Sequence, residues 1–196
     1  MGAPDRIALE AAATLGATPQ VAFRLMGVPI HDVTREETIA WVKRWISEGE
    51  CAKIISTINP EFLMQARVDS DFRAVLHRAA LCVPDGVGIL WAGRRHSVRL
   101  RERVAGSDLV PGLATQAARY GWRVFFLGAA PGVAEKTAAL LQQRNPGLLV
   151  AGSYAGSPVV EEEDEIVARI RASRADIVFV AYGAPKQNIW LDRNLA

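Results

Sequence analysis

Four short stretches of the sequence place polar or glycine residues directly after apolar runs. Asp85 carries a carboxylate that could act as a general base toward a hydroxyl group or hold a ribose. Thr57 and Asn59 flank one isoleucine, so in an extended chain both side chains fall on one face, where they could hydrogen-bond a sugar or a phosphate. A turn at the end of a strand is the structural alternative for all three residues, and helix capping is a further alternative for Asp85. The four stretches are Thr57-Ile58-Asn59, Asp85-Gly86, residues 128–132 and residues 183–187.

The third stretch has the form of a turn between a strand and a helix. Residues 124–127 are apolar and end at Gly128, and Pro131-Gly132 then opens a helix-like run, residues 133–143. The free amides of a first helical turn, with the positive end of the helix dipole, form an anion site. Gly128 and Gly132 therefore predict either a nucleotide diphosphate site or a tight turn without a ligand. The spacing itself matches neither G-x-G-x-x-G nor a P-loop.

Basic residues form two further candidates. Lys186 and Gln187 begin the last helical segment, where a cation and backbone amides could meet a phosphate; a solvated helix start is the alternative. Residues 94–103 contain five arginines, among them Arg103, which suit a pyrophosphate, an anionic membrane surface or a merely solvated face. Nucleic acid is not predicted as a partner, because no aromatic residue is interleaved with these arginines.

The elements around these residues alternate between strands and helices. Short apolar runs at residues 53–57, 81–83, 122–127, 148–152 and 175–182 predict strands, and each is followed by a segment that we predict to be helical. Residues 94–104 are predicted to form a basic loop after the helix at residues 86–93. This order predicts an α/β fold with a Rossmann-like, doubly wound, mostly parallel sheet and helices on both faces. Ligands of such sheets bind beyond the carboxyl ends of the strands, which is where all four stretches lie.

Composition favours a globular chain with one core. The chain has 196 residues, half of them hydrophobic, and a formal net charge of +2. It contains no apolar run long enough for a membrane-spanning helix and no signal peptide, and its two cysteines fit a reducing compartment. We expect residues 1–20 to form a flexible or helical leader and residues 21–196 to form a single catalytic core.

Metal and dinucleotide chemistry are less well supported by the residues. Asp69-Ser70-Asp71 has the Asp-x-Asp form that many sugar transferases use for a metal, but it lies between two helices, where capping is the simpler role. No metal or other cofactor is predicted. An NAD-type Rossmann oxidoreductase would need its glycine turn at the first strand, and a non-catalytic module that binds a nucleotide sugar is the other alternative.

Taken together, five ordered motifs resemble those of the WecG/TagA/CpsF family of bacterial glycosyltransferases. The motifs extend from about Val28 to Trp190 in the order that the family shows, which is far more specific than one glycine turn. They are Thr57-Ile58-Asn59-Pro60-Glu61, Pro84-Asp85-Gly86-Val87-Gly88, Glu102-Arg103-Val104-Ala105-Gly106-Ser107-Asp108-Leu109, Leu127-Gly128-Ala129 with Gly132-Val133-Ala134-Glu135, and Gly183-Ala184-Pro185-Lys186-Gln187 with Trp190.

The resemblance implies an inverting, metal-independent enzyme that moves an N-acetylmannosamine-type sugar from UDP to polyprenyl-diphosphate-linked N-acetylglucosamine. Such enzymes work in the cytoplasm at the inner face of the cell membrane, in the synthesis of teichoic acid linkage units, common antigen, capsule or exopolysaccharide, and a homo-oligomer is possible. By resemblance Asp85 is the catalytic base. Thr57, Asn59, Arg103, Lys186 and Gln187 contact substrate, and backbone amides of Gly128, Gly132 and Val133 hold the nucleotide.

Two departures from the family pattern bear on these expectations. Asn188 stands where the family usually carries a glutamate, which removes a charge beside the expected site. The chain also stops at Ala196, inside its last predicted helix, whereas family members continue into a basic segment that is thought to reach the membrane and complete the site. We therefore expect this chain to lack that segment and to turn over weakly or not at all.

Overall fold

The computed structural model describes residues 15–194, and the chain forms two compact units, one ending at Leu109 and the other spanning Val110–Asn194. The boundary falls within one helix, α5 (Gly106–Tyr120). Most of the predicted leader, residues 1–20, lies outside the described residues. The prediction of one catalytic core over residues 21–196 is not tested by this division and stays a prediction.

The first unit contains an antiparallel hairpin, a parallel strand pair and four helices that precede α5. The hairpin strands β1 and β2 pair through Leu25 and Val28, and β3 and β4 lie side by side in parallel. In chain order the elements are β1 (Val21–Leu25), β2 (Val28–His31), α1 (Arg35–Glu48), β3 (Ile55–Ile58), α2 (Pro60–Val68), α3 (Ser70–Arg78), β4 (Leu81–Pro84) and α4 (Val87–Arg95).

Local sequence signals explain where these elements begin and end. Thr34 caps α1 by a capping box: its hydroxyl accepts the Glu37 amide at 3.1 Å, and the Glu37 carboxylate accepts the Thr34 amide at 3.1 Å. Gly49 ends the same helix in a left-handed conformation, with φ of 64°. All four residues of β4 are buried, as expected for a strand of a parallel pair covered on both faces.

The second unit is a three-stranded parallel sheet with its helices. The strand β5 (Arg123–Gly128) lies in the middle and pairs with β6 (Leu149–Tyr154) on one side and with β7 (Ile177–Ala181) on the other. This central position explains why residues 124–128 are buried without interruption. The remaining elements are α6 (Val133–Arg144), a 3₁₀ turn (Val160–Glu162), α7 (Glu163–Ser173) and α8 (Lys186–Arg193).

The fold class predicted from the sequence is confirmed: the chain has an open α/β fold with parallel strands. The parallel strands form two sheets, one in each unit. Element bounds differ from the sequence-based expectations by a few residues, since β3 begins at Ile55 rather than at Lys53, and Arg94 and Arg95 belong to α4 rather than to a loop. Among residues 15–194, no helix is both long and apolar enough to cross a membrane.

Candidate active site

Asp85 follows the buried strand β4 and presents a half-buried carboxylate. Its amide donates a hydrogen bond of 2.7 Å to the carbonyl of Ile58, which fixes the backbone at the ends of both parallel strands. The helix after it, α4, is capped by Gly86 without any side-chain hydrogen bond, so Asp85 is not the cap of this helix. Within the described part of the chain, the carboxylate makes no hydrogen bond or ion pair and stays available for a ligand.

Thr57 and Asn59 lie at the end of the neighbouring strand. Thr57 pairs with Val83 in the parallel register, and its hydroxyl lies 3.6 Å from the point that a Cβ at Gly106 would occupy. Asn59 caps α2, because its side-chain oxygen accepts the Phe62 amide at 2.9 Å. Helix capping differs from the strand-end turn that was the structural alternative for Asn59, and it leaves the side-chain NH₂ group able to donate to a ligand. The first unit thus brings these residues and Asp85 to one edge of a parallel strand pair.

The segment with Arg103 is attached to the same edge. The amide of Val104 donates to the carbonyl of Pro84 at 2.7 Å, so Arg103 is held one residue from the end of β4. Its guanidinium forms an ion pair with Asp108 at 3.3 Å, and both side chains are about half exposed, at 47% and 51%. Exposed ion pairs of this kind contribute little to the free energy of folding, so an anionic ligand could displace Asp108 from this arginine.

Arg101, in the same basic stretch, has a structural role that the sequence does not reveal. Its guanidinium donates to both oxygens of the Glu37 carboxylate, at 2.7 and 2.6 Å, and to Asp32 at 3.0 Å. Its backbone amide also donates to Asp32 at 2.9 Å. Two carboxylates therefore neutralise Arg101 and join its loop to the beginning of α1.

Gly128 ends β5 at a point where only a glycine fits. Its φ is +93°, and a Cβ there would lie 2.8 Å from the backbone carbonyl carbon of Ala181 on the neighbouring strand. The next amide, that of Ala129, donates to the Ala181 carbonyl at 2.8 Å. The close approach of two backbones thus accounts for Gly128 by itself, whether or not a ligand binds.

Gly132 differs from Gly128 because it faces open space. It also has a positive φ, +81°, but a Cβ there would have no neighbour within 4 Å. Gly132 supplies no capping side chain to α6, and the Val133 amide, predicted to hold a nucleotide, instead donates to the Ala130 carbonyl at 3.0 Å. The amides of Ala134 and Glu135, next in the first turn, have no acceptor within residues 15–194.

Gln187 and Lys186 begin α8, beyond the end of β7. The Gln187 side-chain oxygen accepts a hydrogen bond from the Gly183 backbone N–H at 3.0 Å. The Gln187 backbone N–H donates to the Gly183 carbonyl at 2.9 Å, so this glutamine closes the loop at residues 183–187. Lys186 is exposed and has no ion pair with any described residue. Because β5 and β7 are neighbours, the second unit brings this loop and the Gly128 turn to one edge of its sheet.

Close to this loop, the second unit buries polar groups that sequence reasoning did not single out. The Tyr182 hydroxyl and the Trp190 indole N–H are buried without a hydrogen-bond partner in the described residues. Burial, with a smaller contribution from Glu162, raises the pKa of Tyr182 to about 12. Asn188, the departure noted above, is 2% exposed, where an uncharged amide is easier to bury than a carboxylate.

The acidic motif between the helices has a local role. Asp69 caps α3 by accepting the Phe72 amide at 2.8 Å. Capping was expected of Ser70 and Asp71, which instead lie within the first turn of the helix. In the described ranges, no three His, Cys, Asp or Glu side chains are clustered so that they could hold a metal ion.

The sequence of the chain also matches a known protein family. The profile of the family described as "Glycosyl transferase WecG/TagA/CpsF family" matches residues 23–196. The chain belongs to this family, and the resemblance recognised from five motifs is confirmed.

Three relatives share the name N-acetylglucosaminyldiphosphoundecaprenol N-acetyl-beta-D-mannosaminyltransferase. The protein from Bacillus spizizenii is 35% identical over 139 residues, which cover 71% of this chain and 53% of the relative. That from Bacillus subtilis is 30% identical over 82% of this chain and 62% of the relative. That from Staphylococcus aureus is 29% identical over 85% of this chain and 65% of the relative. The chain thus spans between about half and two thirds of the length of these relatives.

Proposed function

We propose that this chain is the nucleotide-sugar transferase core of an enzyme that moves an N-acetylmannosamine-type sugar from UDP to polyprenyl-diphosphate-linked N-acetylglucosamine. The name that three relatives share supports the acceptor and the sugar. The transfer inverts the anomeric carbon, needs no metal or other cofactor, and contributes to a cell-envelope polymer such as the teichoic acid linkage unit. The enzyme works in the cytoplasm at the inner face of the membrane.

The observation that carries this proposal is the carboxylate of Asp85, which has no hydrogen-bond or ion-pair partner among residues 15–194. An inverting transfer needs one base that takes the proton from the acceptor hydroxyl while this oxygen attacks the anomeric carbon. A half-buried carboxylate without a partner can accept that proton without first breaking an ion pair. Thr57 and the free NH₂ group of Asn59 follow the neighbouring strand, where they would orient sugar hydroxyl groups.

The leaving UDP must be stabilised as its bond to the sugar breaks. The open first turn of α6, with Gly132 and the amides after Val133, provides donors for the diphosphate together with the helix dipole. Lys186, at the start of α8 in the same unit, is the cation that we assign to the phosphates in place of a metal ion. Arg103, in the first unit, is assigned a contact with substrate. Gln187 holds the loop that carries Lys186 and contacts substrate through its remaining NH₂ group.

The first test is a calorimetric titration of the chain with UDP in the presence of EDTA, with NAD as the control ligand. We expect UDP to bind without metal and NAD not to bind. Binding of NAD with no binding of UDP would reject the proposal in favour of a dinucleotide-binding oxidoreductase.

The second test compares two aspartate variants in a transfer assay with UDP-N-acetylmannosamine and a lipid-linked N-acetylglucosamine acceptor, each variant being made in a form that carries the C-terminal segment of the family. Asp85→Asn removes the base at constant size, and we expect turnover to fall by about 10² to 10⁴ while UDP affinity is unchanged. Asp71→Asn is the matched control, since Asp71 is exposed on α3 and belongs to the Asp-x-Asp motif. Equal losses in the two variants would contradict the role of Asp85, and a loss in Asp71→Asn alone would indicate a metal site instead.

A further inference from the structure

One face of α4 combines exposed apolar and basic side chains. Val87, Trp91, Arg94 and Arg95 are spaced i, i+4, i+7 and i+8, which places them on one side of the helix. We call these four residues the α4 face. Val87 is 76% exposed and Trp91 63% exposed, whereas Ile89 on the opposite side is 1% exposed.

The helix is held by its other side. Gly93 packs so closely on the next segment that a Cβ there would lie 3.0 Å from the carbonyl oxygen of Val98 and 3.3 Å from the Leu100 side chain. His96, at the end of the helix, packs its ring against Phe23 of β1, with ring centroids 5.5 Å apart. The α4 face is therefore presented by a helix that is anchored to the first unit from behind.

The positive charges beside this face are not neutralised within the described residues. Arg101 is bound by two carboxylates and Arg103 pairs with Asp108, but Arg94, Arg95 and Arg99 form no ion pair with residues 15–194. Arg94 and Arg99, with Ser97 and Val98, line an open concavity of about 350 Å³. The apolar side chains thus lie beside a concentrated positive charge with room for an anionic group.

We propose that the α4 face docks on an anionic lipid bilayer, with Val87 and Trp91 inserted at the headgroup level and the arginines on lipid phosphates. A tryptophan beside arginines on a helix that lies along the surface is the combination that suits a membrane interface. The α4 face extends over about 12 Å, too small an apolar area for a stable dimer interface. A second copy of the chain placed symmetrically on it would also bring like charges together.

Membrane docking through α4 deepens the proposed function, and its role in catalysis rests on that function. The helix α4 begins two residues after Asp85, the proposed base. Docking through α4 would hold the proposed base close to the surface from which a polyprenyl-linked acceptor projects. The binding itself requires no sugar substrate. Failure of vesicle binding and failure of UDP binding or transfer are therefore separate results.

The experiment is co-sedimentation of the chain with vesicles of phosphatidylglycerol and phosphatidylcholine, against vesicles of phosphatidylcholine alone. We expect binding to the anionic vesicles only. The double variant Arg94→Gln/Arg95→Gln should bind roughly 30-fold more weakly, since one arginine near an anionic surface contributes about fivefold. Val87→Ser/Trp91→Ser should bind about tenfold more weakly, the effect of leaving about 60 Å² of apolar surface in water.

Matched controls exist elsewhere on the chain. Met64 and Val68 form an exposed apolar pair at i, i+4 on α2, at 53% and 79% exposure, so Met64→Ser/Val68→Ser removes similar side chains. Lys136→Gln/Arg144→Gln removes two exposed positive charges from α6. Both controls should bind vesicles like the unchanged chain.

Tryptophan fluorescence gives a second readout. Of the five tryptophans, Trp41, Trp45, Trp122 and Trp190 are at most 8% exposed, so a quencher in the lipid reaches Trp91 first. Brominated phosphatidylglycerol should quench part of the emission, and Trp91→Phe should abolish this quenching while keeping most of the binding.

Four results would overturn the proposal. They are no binding to anionic vesicles, equal binding to both kinds of vesicle, unchanged binding of the α4 variants, and binding without quenching of Trp91. Self-association that Val87→Ser/Trp91→Ser abolishes, in a chain that ignores vesicles, would assign the α4 face to a second copy instead.

Discussion

Two glycines of the proposed nucleotide turn allow the effect of a substitution on stability to be distinguished from its effect on UDP binding. Gly128 and Gly132 have similar backbone conformations, with φ of +93° and +81°. An alanine at either position is strained by about 1–2 kcal/mol, because its Cβ approaches the following carbonyl oxygen. Their surroundings differ: the new Cβ at Gly128 would lie 2.8 Å from the Ala181 backbone, and at Gly132 it would have no neighbour within 4 Å.

Gly128→Ala should therefore lower the stability of the chain more than Gly132→Ala does, and Gly132→Ala should weaken UDP binding. Overpacking adds about 1–3 kcal/mol to Gly128→Ala alone, which gives a total of about 2–5 kcal/mol against about 1–2 kcal/mol for Gly132→Ala. For a chain of this length, the Tm of Gly128→Ala should lie about 2–12 °C below that of Gly132→Ala. Gly132→Ala places its methyl group where the diphosphate is proposed to bind. Loss of about one charge-assisted hydrogen bond should weaken UDP binding roughly 10- to 100-fold.

Thermal unfolding measures the first difference, and calorimetric titration with UDP measures the second, at a temperature where both variants are folded. A Gly128→Ala variant as stable as Gly132→Ala would refute the packing argument. Undiminished UDP affinity in Gly132→Ala would refute the placement of the diphosphate at the first turn of α6, even if the stabilities came out as expected.

Two titratable groups and one thiol lead to further predictions. Burial lowers the pKa of His31, whose ring nitrogen accepts the Cys82 amide at 3.0 Å, so the unfolded chain takes up a proton first as the pH falls below about 6.5. Urea unfolding should therefore show that the chain loses stability relative to His31→Gln between pH 7 and the lowered pKa. Burial raises the pKa of the Cys82 thiol to about 12, so a thiol reagent should modify only the exposed Cys51 in the native chain and both cysteines after unfolding. Burial likewise raises the pKa of Tyr182 to about 12, so an absorbance titration should show that Tyr182→Phe removes a phenol that ionises well above the ordinary tyrosine range.

Each of these predictions has a clear contrary outcome. A difference between the native chain and His31→Gln that stays constant with pH would mean that the histidine is not buried as a neutral acceptor. Two fast-reacting thiols in the native chain would contradict the burial of Cys82. Ionisation of the Tyr182 phenol in the ordinary tyrosine range would show that water reaches the Tyr182 hydroxyl.

The sequence alone determined the features that depend on neighbours along the chain. The apolar run before Gly128 indicates a central parallel strand because such a strand is covered on both faces, and the capping box at Thr34 marks the start of α1 within one turn. The order of five motifs was sufficient to recognise the family. The parallel pairing of strands also made it predictable that Thr57, Asn59 and Asp85 would meet at one edge.

Only the tertiary structure decided what each of these residues does with its hydrogen-bonding groups. Arg101 looks like its basic neighbours in the sequence, but Glu37 and Asp32, 64 and 69 residues away, neutralise it. Gly128 and Gly132 belong to one motif, yet a neighbouring backbone requires the first and open space surrounds the second. Local periodicity specifies which face of an element is apolar, whereas partners, exposure and free charge depend on which distant segments the packed chain brings into contact.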